Sequence, residues 1–189
     1  MRPRKVTDED LLKYAVELTE ANGLENLSLH KLSDKLGIKP ASLYNHITSL
    51  SDLKRRIGVE AKRNFAQKLQ ESVADKVGAE GLRAYLDASV AFADERPQMF
   101  LAMISLPEKT QETEKTDREI LKLYDHIVSV YMNDKEELQT VRRLLIQIIL
   151  GCFELRRSNV GTNAAESAVH AECDRAMHYA LDLIAARLN

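Results

Sequence analysis

A chain of 189 residues, 44% apolar and 30% charged, is long enough to bury a core and too apolar to stay disordered. Its net charge of −2 hides a polarity: residues 1–63 carry 12 Lys/Arg against 9 Asp/Glu, and the rest carry 15 against 20. Two cysteines are too few for a disulfide framework, and the most apolar stretch, "LLIQIILGCF", falls short of the ~20 residues that span a bilayer.

The opening "MRPRKVTDEDLLKY" has no apolar run behind its positive start, so it is not a signal peptide, and a cytoplasmic protein is expected. Few glycines and prolines and no alternating strand pattern predict an all-α chain. The first helix starts at Thr7, where Thr7 and Asp10 form a capping box and three acids suit the positive helix end. Leu11, Ala15 and Leu18 face inward, and a left-handed Gly23 follows Asn22 to end it. Ser28 caps the second helix, whose Leu29, Leu32 and Leu36 turn to the core until Gly37 stops it. Pro40 opens a short third helix, at a position where its missing N–H costs nothing. Ser49 and Asp52 form a second capping box before a long fourth helix carrying Leu53, Ile57, Ala61, Phe65 and Leu69 toward Gly78.

Beyond Gly81 the chain becomes less basic. Leu82, Tyr85, Leu86, Ser89 and Ala93 stripe a fifth helix that Pro97 terminates, and "PQMFLAMISL" is a short apolar sixth helix. Ile120, Tyr124, Ile127, Val128 and Tyr131 stripe the seventh, and Asp134 with Glu137 caps the eighth. The loop "NVGTN" leads to a ninth helix beginning near Ala164 and striped by Val169, Cys173, Ala176, Met177, Ala180, Leu181 and Ile184. Three short helices, a long connector and a larger helical body give domains of 1–57 and 58–189.

The second and third helices have the length and punctuation of a helix-turn-helix. In "GIKPASLYNHI", Leu43 and Ile47 lie four apart and face inward with Leu32 and Leu36. Ala41, Ser42, Asn45 and His46 then lie on outer faces, with Tyr44 at the edge. Small and polar residues so placed suit entry into a major groove, with hydroxyls, amides and imidazoles holding phosphates. The bland reading is a helical hairpin with a merely solvated polar face.

"LSLHKLSDKLGIKPASLYNHITSLSDLKRRI" resembles the N-terminal DNA-binding segment of the TetR family of transcriptional regulators, through its Leu-Gly-Ile turn, Leu-Tyr-x-His core and Ser-x-x-Asp-Leu helix start. The match covers about residues 7–57. "ERPQMFLAMI" and "VRRLLIQIILGCFEL" are more loosely similar to a C-terminal domain known by a Trp-His-Gly signature; here Leu150-Gly151 stands for His-Gly and no Trp exists. The resemblance implies that Ser28 caps and donates to a phosphate, and that His30 reaches a base edge. It implies that Pro40, Ala41 and Asn45 face bases, the first two suiting thymine methyls and Asn45 suiting adenine. Ser42, Tyr44 and His46 would hold phosphates, and Leu50 stands where members often carry Lys, leaving Thr48 or Lys54 as the substitute. Arg2, Arg4 and Lys5 are either a DNA-contacting arm or an incidental charged terminus.

The eighth helix is apolar on two sides, with Leu144, Leu145, Ile148 and Cys152 on one and Ile149 and Phe153 on another. The resemblance implies a homodimer formed by the eighth and ninth helices, bound to double-stranded operator DNA. A fully intramolecular core is the alternative. Phe92, Met99, Phe100, Met103, Tyr124, Ile127 and Tyr131 are candidates to line a cavity for a small, apolar effector, although a plain core shows the same stripe. His170, Cys173 and His178 do not converge as zinc ligands do and read as surface and interface residues; no cofactor is expected. Scattered acids such as Asp87, Asp94 and Glu95 read as solvated faces.

The expected function is that of a repressor released from a palindromic operator by its effector. The alternatives are an activator or a ligand-independent regulator, or a helical small-molecule-binding protein or enzyme. Against an enzyme, the chain has no nucleophile elbow, phosphate-binding glycine loop or HExxH.

Overall fold

Local capping rules account for most of the helix boundaries in the computed structural model, which describes residues 6–106, 110–131, 135–158 and 166–188. The described residues form α1 (Asp8–Asn22), α2 (Leu29–Leu36), α3 (Pro40–Leu43), α4 (Leu50–Val73) and α5 (Gly78–Glu95). Then follow α6 (Pro97–Ile104), α7 (Gln111–Ile127), α8 (Lys135–Ser158) and α9 (Glu166–Leu188), with 3₁₀ turns at Leu24–Asn26 and Val128–Val130. The all-α expectation holds: no strand occurs among the described residues. Arg2, Arg4, Lys5, Asp134, Ala164 and the "NVGTN" loop lie outside them.

The chain forms two compact units, Met1–Asn64 with Glu95–Thr116, and Phe65–Asp94 with Asp117–Asn189. In the first, α1 opens on the expected capping box: the Asp10 N–H donates to Thr7 Oγ1 at 3.1 Å and the Thr7 N–H to Asp10 Oδ2 at 3.2 Å. Gly23 ends α1 with φ 85° and ψ 149°, an extended conformation open to glycine and not the left-handed helical cap its position suggests. Gly37 does take that cap, with φ 66° and ψ 31°; its N–H bonds Asp34 O, and the Ile38 N–H reaches back to Ser33 O at 3.1 Å.

Leu11, Ala15, Leu32, Leu43, Ile47, Leu53 and Ile57 form the first core with Met99 and Phe100 of α6. Leu18, Leu29 and Leu36, expected inside, are only half-buried, while Thr19 and Ser33 are buried instead. Close approach explains one glycine in this unit. A Cβ on Gly58 would lie 2.8 Å from the Ala102 carbonyl oxygen and 2.7 Å from Leu106 Cδ2, so α4 meets the end of α6 backbone to backbone.

In the second unit, Leu82, Tyr85, Leu86, Ser89 and Ala93 are buried as their spacing predicts. The Phe65 and Phe92 rings meet at 5.4 Å, and Tyr85 meets Tyr124 edge-on at 6.5 Å. Helix α4 stops at Val73, short of Gly78, which instead is the first residue of α5. Tyr131 lies beyond α7, after the second 3₁₀ turn. Asp94 is exposed as expected but also engaged: with Asp174 it holds the buried Arg156 guanidinium, the latter at 2.6 Å. One charge thereby joins α5, α8 and α9.

Candidate nucleic-acid interface

Helix α3 is a single α-turn, Pro40–Leu43, with Tyr44, Asn45 and His46 in the turn that follows. Pro40 at its start fixes φ without losing a needed donor, and the Ser42 N–H closes the turn on Lys39 O at 2.8 Å. Leu43 is fully buried and Ile47 only 2% exposed, whereas Tyr44 is 60% exposed. Burying a side chain such as Leu43 stabilises by about 1.5–3 kcal/mol, which seats the turn firmly and leaves the opposite side free. Pro40, Ala41 and Asn45 are exposed on that side and Ser42 is half-buried.

The cationic and imidazole candidates are mostly engaged within the chain. His46 Nδ1 lies 2.5 Å from Asp8 Oδ1, which holds its ring against the start of α1. Lys54 Nζ pairs with Glu25 at 3.2 Å, and exposed His30 with Asp34 at 2.9 Å one turn on. Ser28 accepts the Lys31 N–H at 3.2 Å, which leaves its own hydroxyl proton free to donate. Thr48 is exposed, but its N–H is given to Asp52 Oδ2 at 3.2 Å. The second capping box is therefore shifted: Ser49 Oγ accepts the Asp52 N–H, and Asp52 reaches Thr48 rather than Ser49. Burial pushes the Asp52 carboxyl up, but the Thr48 N–H and the Arg55 and Arg56 guanidinium groups outweigh it and hold the group below the usual carboxylate range. Lys31 and Lys39, which sequence reasoning passed over, have exposed side chains without an ion-pair partner among the described residues. A lysine directly before Pro40 was the available signal.

The seven effector candidates divide between the units. Met99, Phe100 and Met103 belong to the first, and Phe92, Tyr124, Ile127 and Tyr131 to the second. Met103 and Tyr131 are half-buried and the other five buried. Tyr124 and Tyr131 line a cavity of about 520 Å³ inside the second unit. Of the trio weighed for a metal, His178 pairs with Asp87 at 3.3 Å, and Cys173 is buried beside Cys152. Burial and the neighbouring Cys173 push the Cys152 thiol up to about 11.

On α8, the buried side is Val141, Leu145, Ile149, Cys152, Phe153 and Arg156. Leu144, Gly151 and Leu155, spaced by seven and four, form a separate exposed stripe, Leu155 being 55% exposed. Helix α9 leaves Tyr179 67% and Leu183 57% exposed, with the small Ala176 on the same side.

No family model matches the chain. It is 27% identical over 147 residues to the uncharacterized HTH-type transcriptional regulator YobS of Bacillus subtilis (strain 168), covering 76% of each chain. Its structure is similar to that of a protein of unknown function from Rhodococcus sp. RHA1, with a TM-score of 0.76 and 16% identity over 100% of this chain and 99% of that one. It is also similar to a TetR variant from Acinetobacter baumannii AYE, solved in complex with minocycline, with a TM-score of 0.68 and 14% identity over 96% of each. With the Gly37 turn and the seated α3 in place, the chain shares the all-α fold of these solved structures along its length and is similar in sequence to an HTH-type transcriptional regulator.

Proposed function

We propose that the chain is a transcriptional regulator, a repressor that binds a palindromic operator as a homodimer and leaves it when a small, largely apolar effector binds. The observation that carries this reading is the contrast within α3 and its turn. Leu43 and Ile47 are locked into the core, while Tyr44 and Asn45, which lie between them in the chain, stand in solvent. Pro40, Ala41 and Asn45 are assigned to base edges, and Ser28, Ser42, Tyr44, His46 and Thr48 to phosphates. His30 is assigned to a base edge at the rim. Lys54 reaches a phosphate only by leaving Glu25, so Lys31 and Lys39 are added as the readier anchors. Asp8 holds His46 by one ring nitrogen and leaves the other to face the backbone.

Residues 1–57 are assigned to DNA reading and 58–189 to effector binding and dimerisation, in the cytoplasm. The exposed stripes on α8 and α9 favour pairing of these helices with those of a second copy, since one short reading turn makes too few contacts for a specific site. Among the described residues no helix is long and apolar enough to cross a membrane. A repressor and an activator would share all these contacts, and the position of the operator relative to a promoter separates them.

Selection of bound duplexes from random DNA with the purified protein tests the reading. A twofold-symmetric motif with half-sites about 34–36 Å apart is the expected result. In that motif Asn45→Ala should relax one position per half-site at a cost of about 1–3 kcal/mol. Tyr44→Ala should weaken binding to every sequence alike. No enriched motif, or unchanged binding by both variants, defeats the assignment.

A further inference from the structure

The cavity at the corner of α7 and α8 has a lining that specifies more than an apolar occupant. It measures about 520 Å³, within the range of small-molecule sites, and lies wholly inside the second unit. Leu121, Val128, Leu138 and the Tyr124 ring give it apolar walls. Set among them are Arg142 and Lys135, two groups that can only donate. Neither has an ion-pair partner among the described residues, and Asp125 is the single acid in the lining.

The other polar groups are unequally committed. Tyr124 donates its hydroxyl to Leu138 O at 2.6 Å and Ser129 donates to His126 O at 2.7 Å, so both protons are already placed. The Tyr131 hydroxyl is shielded from solvent and lies on the side of Gly78, which does not line the cavity, so it is not counted as a donor to an occupant. Arg142 and Lys135 are thus the donors in excess, beside apolar walls. The group that answers them is an acceptor-only anion on an apolar body.

We propose that this cavity binds a small molecule bearing a carboxylate on an apolar skeleton, with Arg142 pairing the acid group and Lys135 adding a second, more mobile charge. A planar guanidinium matches a carboxylate through two parallel hydrogen bonds, whereas lysine acts as a point charge. The inference deepens the effector role proposed for the second unit and rests on it only for the consequence of binding, not for the site.

The test is calorimetric titration of the full chain with octanoate, 4-phenylbutanoate and hexyl phosphate, each carboxylic acid set against the amide of its own skeleton. At least one carboxylate should bind about tenfold or more tighter than its amide, and Arg142→Gln should erase that ratio. Lys135→Gln, which sits at the exposed start of α8 and should leave the fold intact, should weaken the same acid about threefold. Equal binding of acid and amide, an acid preference that survives Arg142→Gln in a folded variant, failure of every acid to bind, or a preference for the phosphate would each overturn the proposal. Release of the selected duplex is read separately by anisotropy. Arg142-dependent binding without release would keep the site and overturn its regulatory coupling, while a chain that ignores every duplex would remove the regulator reading and leave the binding result standing.

Discussion

Both units of the molecule carry ion pairs at the surface, as Arg157 with Glu154 and His178 with Asp87 do in the second, but among the described residues only the second also buries a charge. In the first, cations and acids meet at the surface: Lys35 with Glu17 at 2.7 Å, Lys54 with Glu25, His46 with Asp8, and Arg55 and Arg56 with Asp52. Exposed pairs of this kind contribute about 0–1 kcal/mol each and serve mainly to orient side chains. In the second unit a single guanidinium is taken out of water and held by acids from two other helices. There the same chemistry is structural, because a buried charge that loses its partners has nowhere to be solvated. The exposed face of α3 therefore owes its form to small, polar and aromatic side chains, and the second unit owes part of its register to one ion cluster.

Substitutions can break this contrast, beginning with the largest effect. Leu155→Glu with Leu183→Glu places charge on the exposed stripes and should abolish the proposed dimerisation outright, so light scattering should read one 21.4 kDa chain where the unaltered protein reads two, with helical content unchanged. A variant that stays dimeric would move the interface elsewhere. Arg156→Ala should cost about 3 kcal/mol in urea denaturation, the low end for a broken buried pair because the aspartates left behind are partly exposed. Replacing all three residues together, as Arg156→Leu, Asp94→Asn and Asp174→Asn, should recover most of that loss.

Gly58→Ala should cost about 1–3 kcal/mol, since the Leu106 side chain can yield but the Ala102 carbonyl cannot without moving α6. The smallest effect belongs to the surface pairs and appears on acidification. The folded Asp52 carboxyl titrates below its unfolded value of about 3.9, so its contribution is complete above that pH and is lost as pH falls through the lower folded value. Asp52→Asn should flatten that part of the stability–pH curve, and an unchanged curve would assign the acid sensitivity to other groups.

Features legible in the sequence are those settled within about four residues. The Thr7–Asp10 box, the Ser28 cap, the Gly37 turn and the Pro40 start are all decided by neighbours along the chain. The outward set of α3 was legible for the same reason, because Leu43 and Ile47 fix which side turns inward. Engagement of the side chains was not. His46 meets an acid 38 residues away and Arg156 one 62 residues away, and no local pattern announces either pairing. The division of the effector candidates between the units was hidden for a related reason. An apolar period shows that a face is buried but not what buries it, so one stripe was read across what are two units. Arg142 was invisible because a lone arginine on an amphipathic helix reads as solvated until the wall opposite it is known.

The cluster around Arg156 also constrains inheritance. A change at that position leaves two like charges facing each other, and a change at Asp94 or Asp174 leaves a cation half-neutralised away from solvent. Each single step is penalised, so descendants of this chain should keep all three residues or lose them together, and positions 94, 156 and 174 should drift as one.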